Sequence, residues 1–508
     1  MFARTFGEAT YGLDGVLVTV EVDIANGLPA FDIVGLPDVA VKEARERVRA
    51  AIKNSGFSFP ATRITVNLAP ADVKKDGSGL DLPIAVGILA ASGQICQLDC
   101  IEAVFIGELS LEGFIRDVSG VLPMAAHARS QGKKTLFLAG GNVAEAALAG
   151  GLTIYGADSV LDIVGHLNAE KTLDPAAPTD FKQFCQNAET ADDFSDVQGQ
   201  RMAKRAMEIA AAGGHNIMLV GSPGSGKTML ARRMPGILPA MTEQESLEVT
   251  KIYSVAGLLS KKDGPVLTRP FRSPHHTISY GGLIGGGRIP KPGEVTLSHN
   301  GVLFLDEFPE FSRLALEALR QPLEDGEVSI ARVQASLRYP ARFILVAAMN
   351  PCPCGYQGDP THACSCGAAD IERYRKRLSG PLLDRIDLQV RVPRMEYKEI
   401  KGGEQPPELS RAIRARVQEA RERQLARFDG QGLYCNGHMG HKEIKKHCAL
   451  SRAAEQLLEK AFDSLGLSAR SHDRIIKVAQ TIADLDHAST IESKHLAEAV
   501  QLRTNFKA

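Results

Sequence analysis

Asn216–Thr228 reads N-I-M-L-V-G-S-P-G-S-G-K-T, and the fold turns on this stretch. Ile217–Val220 is a short apolar run closed by a glycine-rich turn, the pattern of a buried parallel strand. Gly221, Ser222, Pro223, Gly224, Ser225 and Gly226 follow as a loop whose backbone N–H groups are little shielded by side chains. Lys227 and Thr228 then open a helix through Met229, Leu230 and Ala231. Strand, loop and helix in that order are the context a phosphate-binding loop requires. The N–H groups wrap the β- and γ-phosphates, Lys227 neutralises their charge, and the Thr228 hydroxyl ligates Mg²⁺. The expectation is an α/β domain that binds ATP with Mg²⁺.

Two further strands extend this reading. Val302–Leu305 is apolar and ends in Asp306-Glu307. A strand that delivers two adjacent acids to its C-terminal edge suits hydrolysis: Asp306 would hold Mg²⁺ and Glu307 would polarise the attacking water. Phe343–Met349 is a second buried strand and ends at Asn350, which would sit beside the γ-phosphate and orient that water. Between the acids and Asn350, Val328–Ala331 and Ser336–Tyr339 can pair as a hairpin across Arg332–Ala335. Before the acids, Phe271–His299 is too rich in glycine for a core element.

The 508 residues suggest about three domains. A hydrophobic share of 44% and a charged share of 23% describe ordinary globular material. The net charge of −1 excludes global basicity, so any nucleic-acid surface must be local. Tryptophan is absent, and only 6% of residues are aromatic, which argues against base-stacking platforms as the main binding device. The first residues lack the apolar core of a signal peptide. Leu82–Ala91, the longest apolar run, falls far short of the roughly 20 residues needed to span a bilayer. A cytoplasmic protein without membrane partners is expected, and its nine cysteines are read as thiols or metal ligands. Cys352, Cys354, Cys364 and Cys366 form two C-x-C pairs in a Gly/Pro-rich loop after Asn350. Four thiolates so placed suit a structural Zn²⁺, with His362 as a possible replacement for one.

Residues 1–170 alternate strand and helix patterns, 171–195 are rich in Asp, Pro and Thr like a linker, and residues from 395 onward read as helices. Arg411, Arg414, Arg416, Arg421, Arg423 and Arg427 crowd one of these helices. They are read as a solvated face, with a nucleic-acid or subunit contact as the alternative.

Two stretches of the first segment, Lys75–Leu82 and Gly107–Pro123, resemble the protease domain of Lon. The position of Lon's nucleophilic Ser falls on Gly79, with Ser78 one residue away. The position of its Lys base falls near Leu122. A Ser without its base is not activated, so a Lon-like fold without peptidase activity is expected. A displaced dyad using Ser78 is the alternative.

The phosphate loop, the D-E strand, Asn350 and Leu382–Asp387 (L-L-D-R-I-D) resemble the Mg-chelatase and MCM branch of the AAA+ ATPases. With the Lon-like segment and the C-x-C pairs, nearly the whole chain resembles the ComM/YifB family. The resemblance implies a Lon-like α/β domain (1–170), a linker (171–195), an AAA+ P-loop αβα core (196–394) and a C-terminal helical lid (395–508). It further implies a homo-oligomeric ring, of six subunits, with nucleotide between subunits. Arg385 would be the finger reaching a neighbour's site, and Arg470, at a helix start after Ser468-Ala469, would contact the γ-phosphate. The Gly-rich segment would be a helix-2 insertion and Gly326–Arg342 a pre-sensor-1 hairpin. Arg288, Lys291 and Arg332 would grip the backbone of single- and double-stranded or branched DNA in the pore. The implied activity is ATP-driven helicase action and branch migration in recombination and natural transformation. A protein remodeller and a chelatase-type motor are the rivals.

Overall fold

The computed structural model describes residues 1–36, 38–71, 75, 77–95, 102–177, 192–259, 264–287, 291–332, 335–395, 408–465 and 467–504. The chain forms two compact units. The first joins Met1–Asn187 with Glu243–Leu267; the second joins Ala188–Thr242 with Thr268–Ala508.

The first unit is built on a seven-stranded mixed sheet. Its strand order is Ala30–Val34, Arg63–Ala69, Asp14–Ala25, Phe2–Tyr11, Ala103–Ile106, Thr135–Ala139 and Thr153–Ala157. Alternation sets the inner face: Val18, Val20, Val22, Ile64, Val66 and Leu68 are fully buried. The helix Val39–Asn54 buries Val41, Ala44, Val48, Ala51 and Ile52, the helical stripe legible in the sequence. The helix Asp81–Ala91 is buried along its whole length, as its unbroken apolar run requires. The strand Phe2–Tyr11 escapes a hydrophobicity reading because its buried positions are Ala3, Thr5, Gly7, Glu8 and Ala9. At Gly7 a β-carbon would lie 2.8 Å from Leu80 Cδ2, so the small residue lets this strand approach the helix Asp81–Ala91.

Residues Glu243–Leu267 lie within 196–394 in sequence but cluster with this first unit. The helix Glu243–Ala256 contributes Leu247 to an apolar cluster around Val121, Leu122 and Ala125. Its Ser254 carbonyl accepts the Gly120 N–H at 3.1 Å, and its Ser254 hydroxyl donates to Glu145. Of the 171–195 stretch, residues 178–191 lie outside the described residues.

The second unit carries a five-stranded sheet in the order Phe271–Arg272, Val302–Leu305, Ile344–Met349, Ile217–Val220 and Leu388–Arg391, all parallel. The three central strands are buried at every residue. That is the expected burial of a parallel sheet covered on both faces. The hairpin pairs Glu327–Arg332 with Ala335–Pro340, in the register Val328↔Tyr339 and Ile330↔Leu337. Those four side chains are buried and hold one face of the hairpin down.

The C-terminal helices are Ser410–Arg427, His441–His447, Arg452–Leu465, Ala469–Leu485 and Ser493–Thr504. Four of the arginines read as a solvated face turn inward instead. Arg416 bonds Glu208 and Glu408 at 2.6 Å each. Arg421 donates to the Ala211 and Ala212 carbonyls at 3.2 and 3.3 Å. Arg423 donates to the Asp484 carbonyl, and Arg427 pairs with Asp484 and Asn436. Ala211 and Ala212 lie in the last turn of the helix Arg201–Gly213, where carbonyls lack intrahelical partners and favour cations. Arg416 and Arg421 therefore join the helical region to the helix that leads into the phosphate loop, while Arg423 and Arg427 tie the helical region to itself.

Candidate nucleotide site

Parallel register brings the chemistry to one edge. Val220 faces Met349 and Leu305 faces Ala347, so Gly221, Asp306 and Asn350 leave neighbouring strands on the same side. Ligands of open parallel sheets bind at this carboxyl end. Gly224 and Gly226 take left-handed φ angles of 76° and 90°, which let the loop turn its N–H groups inward. The helix Lys227–Ile237 starts directly behind them.

Lys227 is buried, and its ammonium donates to the Gly221 carbonyl at 2.7 Å, the Ser222 carbonyl at 3.0 Å and Asn350 Oδ1 at 3.2 Å. Burial pushes its pKa below the ordinary lysine range, and the Asp306 charge opposes the shift. Thr228 Oγ1 donates to Asp306 Oδ2 at 2.8 Å. A hydroxyl and a carboxylate so placed are the pair that can anchor Mg²⁺, a cation that takes few protein ligands and completes its shell with phosphate and water. The Glu307 N–H donates to Asp306 Oδ1 at 2.9 Å and fixes the acid that would hold the metal. Lys227, Thr228, Asp306 and Asn350 thus form one connected set. Glu307 points its half-exposed carboxylate toward His276, with Nδ1 3.1 Å from Oε2. Only the parallel pairing of Phe271–Arg272 beside Val302–Leu305 brings them together.

Asn216, one residue before the loop strand, ties three strands. Its N–H donates to Asp387 Oδ2 at 2.9 Å, its Nδ2 to the Arg385 carbonyl at 3.0 Å, and its Oδ1 accepts the Leu345 N–H at 2.9 Å. Burial would raise the Asp387 pKa, but Arg474 and the neighbouring donors hold it below the ordinary range. His215 is fully buried beside it, with Nε2 2.8 Å from Thr481 Oγ1. Burial drives the His215 pKa down to about 4.

Arg385 and Arg470 lie together around Glu324. Arg385 hydrogen-bonds the Glu324 carboxylate through Nη2, and Arg470 Nη2 stands 3.9 Å from its other oxygen. Ser468 caps the helix Ala469–Leu485 by accepting the Ser471 N–H, which sets Arg470 in the first turn.

The four cysteines converge. Sγ separations are 3.4 Å for Cys352–Cys354 and 3.6 Å for Cys352–Cys364 and Cys354–Cys364. All four sulfurs lie within 4.8 Å of one another. Tetrahedral Zn–S bonds of about 2.3 Å place sulfurs about 3.8 Å apart, so the set fits a closed Cys₄ site. The Tyr356 N–H, and next that of Ser365, pull the Cys354 thiol down to about 5, which favours the thiolate a metal needs. The cysteine loop also touches the phosphate loop. A β-carbon on Gly355 would lie 2.7 Å from the Pro223 ring, so only glycine lets the two loops meet this closely.

The expected DNA contacts are less complete. Lys291 is exposed in the short pair Gly285–Gly286 with Lys291–Pro292. Arg332 lies in the hairpin opposite Ala335, with its side chain outside the described residues, and Arg288 lies outside them altogether. Arg338, which the sequence reading does not single out, is exposed on the hairpin 3.6 Å from Glu327.

In the first unit, the Ser78 hydroxyl donates to the Glu108 carboxylate. Leu122 is buried, and its N–H donates to Glu145 Oε1 at 2.9 Å. Among the described residues no helix is long and apolar enough to cross a membrane.

Three family descriptions match the chain. "Magnesium chelatase, subunit ChlI" matches residues 193–400, "Subunit ChlI of Mg-chelatase" matches 20–142, and "Magnesium chelatase, subunit ChlI C-terminal" matches 407–503. The chain is 46% identical to Competence protein ComM of Haemophilus influenzae, over 99% of this chain and 97% of that protein. It is 44% identical to YifB of Escherichia coli, over 97% and 96%. A more distant likeness, 25% identity over 31% of this chain and 52% of the other, links it to the Magnesium-chelatase 38 kDa subunit of Cereibacter sphaeroides.

Proposed function

The chain belongs to the ComM/YifB family of Mg-chelatase-like AAA+ proteins, and from that premise we propose that it is an ATP-driven ring motor acting on DNA. The observation that carries the proposal is the connected set Lys227, Thr228, Asp306 and Asn350 at one sheet edge, with Glu307 beside it. In the proposed reaction the loop N–H groups and Lys227 hold the ATP phosphates. Thr228 and Asp306 hold Mg²⁺. Glu307 accepts a proton from the attacking water, which Asn350 orients. Arg385 enters a neighbouring subunit's site and stabilises transition-state charge, a contribution of roughly 10³–10⁵ in related phosphoryl transfers. Arg470 contributes a second cation to the γ-phosphate. Cys352, Cys354, Cys364 and Cys366 would hold Zn²⁺, and the bound metal would order the loop that lies against Pro223.

The substrate reading rests on the competence protein that this chain resembles along nearly its whole length, and on the exposed Lys291 and the hairpin. Lys291, Arg332 and Arg288 would contact DNA phosphates around a pore of six subunits. A ring multiplies a few such cations per subunit, so a chain of net charge −1 can bind DNA in a salt-dependent, sequence-blind way. Unwinding and branch migration of recombination intermediates, as in natural transformation, follow as the work of such a motor.

The deciding experiment measures ATP turnover with single-stranded, duplex and four-way-branched DNA, and with an unfolded protein, and follows unwinding of the branched substrate. Stimulation by DNA together with strand separation is expected. Stimulation by the unfolded protein alone would replace the DNA motor with a protein remodeller.

A further inference from the structure

Arg385 has a fixed backbone and one strongly engaged end. Its carbonyl accepts from Asn216 Nδ2 at 3.0 Å and from Arg474 Nη1 at 3.1 Å. Its side chain is only 8% exposed and bends back into its own subunit. There Nη1 donates to the Pro381 carbonyl at 2.8 Å and Nη2 to the Glu324 carboxylate. Nε is buried with no hydrogen-bond partner among the described residues. Arg320, Arg470 and Arg474 place three more cations near it. The carboxylate that bonds Arg385 also faces Arg470 at 3.9 Å. Arg385 and Glu324 border a cleft of about 470 Å³ with Tyr280, Arg320, Gln321, Val328 and Ser329.

Glu324 lies in the short helix Pro322–Asp325, which ends at Gly326 with a φ of 69°. The next residue, Glu327, starts the hairpin strand Glu327–Arg332. The Gly326 carbonyl accepts the Ala341 N–H at 2.8 Å just past the returning strand. Glu324 and the hairpin are therefore two ends of one short segment, with Asp325 and Gly326 between them.

Guanidinium groups bind carboxylate and phosphate with the same fork of donors. An arginine held by Glu324 must leave it to reach a phosphate on another subunit. We propose that Glu324 is a positioning residue that holds Arg385 and Arg470 in place of the nucleotide phosphate, and that displacement of the hairpin loosens this hold. The inference rests on the motor reading for the roles of Arg385 and the hairpin. It adds a specific brake: ATP turnover is slow until the hairpin is engaged, because the finger is occupied at home.

The test uses the full-length protein and the near-isosteric Glu324→Gln, with Glu324→Asp as a second variant that keeps the charge. Glu324→Gln should raise DNA-free ATP turnover roughly two- to fivefold, the range expected of a half-exposed ion pair. It should also lower the ratio of DNA-stimulated to DNA-free rate, with the KM for ATP little changed, while Glu324→Asp stays near wild type. In an Arg385→Ala background, Glu324→Gln should have no further effect on turnover. A DNA-free rate equal to or below wild type overturns the proposal, and so does an undiminished effect in the Arg385→Ala background. If wild type shows no response to DNA, the motor reading fails on that arm alone; the DNA-free rate and the double-mutant comparison still decide whether Glu324 restrains Arg385.

Discussion

Each unit runs a glycine-containing loop into a helix, and the two loops have different contents. In the second unit, Gly221–Gly226 leads into the helix Lys227–Ile237, whose Lys227 bonds Asn350 at 3.2 Å and whose Thr228 bonds Asp306 at 2.8 Å. In the first unit, Gly77–Leu80 leads into the helix Asp81–Ala91. On the resemblance to Lon, the nucleophile position would be Gly79 and the base position would fall near Leu122, which is buried. The Ser78 hydroxyl donates its hydrogen bond to the Glu108 carboxylate. One loop brings polar and charged groups from three strands to one edge; the other sets a single hydroxyl against a carboxylate. A fold can persist after its chemistry has gone, because helix and sheet contacts depend on shape and apolarity, whereas catalysis depends on a few side chains in register.

The largest expected effect concerns the cysteine loop, which lies against the phosphate loop at Gly355 and Pro223. Metal analysis should find one Zn²⁺ per chain, and Cys352→Ser should lose it. Structural zinc supplies on the order of 10 kcal/mol to small sites. Loss should therefore lower the melting temperature and, through the Gly355–Pro223 contact, ATP turnover. Metal-free protein with unchanged turnover would separate the cysteine loop from the nucleotide site.

Next in size is Glu307→Gln. It should retain ATP binding and lose turnover by roughly 10²–10⁴-fold, the usual contribution of a positioned general base. Wild-type turnover in this variant would mean that the first acid of the pair, or another group, activates the water.

The His215 network gives a pH signature confined to the second unit. The unfolded chain takes up a proton near pH 6.5 that buried His215 refuses down to about pH 4. The unfolded state binds more protons in that window, so stability is full above it and declines as pH falls through it, by about 3 kcal/mol at most. Equilibrium unfolding of wild type and His215→Gln across pH 4–7 should show a steeper loss toward low pH in wild type. Equal slopes would assign the acid sensitivity to other groups.

The smallest effect should come from Ser78→Ala. It removes one hydrogen bond, about 1 kcal/mol or less, and should leave ATP turnover unchanged. A serine-reactive phosphonate should not label the wild-type protein at Ser78. Labelling there would restore the displaced-dyad reading and dissolve the contrast between the two loops.

The legible parts of this molecule are those in which local pattern and local structure coincide. Ile217–Val220, Val302–Leu305 and Ile344–Met349 announce themselves because strands buried on both faces need uninterrupted apolar runs. The residues at their tips, Asp306 and Asn350, follow from strand direction. What stayed hidden depends on contacts between distant residues. The strand Phe2–Tyr11 turns small and polar side chains inward and leaves no hydrophobic trace. The affiliation of Glu243–Leu267 with the first unit rests on Ser254 meeting Gly120 and Glu145, more than a hundred positions away. Arg416, Arg421, Arg423 and Arg427 look like a solvated face until Glu208, Ala211 and Asp484 are placed beside them. His276 and Glu324 carry no motif; they matter because tertiary packing sets them against Glu307 and Arg385.

The central claim is that the second unit holds one half of an ATPase site and lends Arg385 to complete another. Mixing two strongly impaired full-length variants, Arg385→Ala and Glu307→Gln, tests it most directly. The first keeps an intact Lys227–Glu307 site and the second keeps an intact finger, so random co-assembly completes roughly a quarter of the interfaces. ATP turnover in the equimolar mixture should rise to about that fraction of wild type. A mixture no more active than the sum of its separate components would contradict the account.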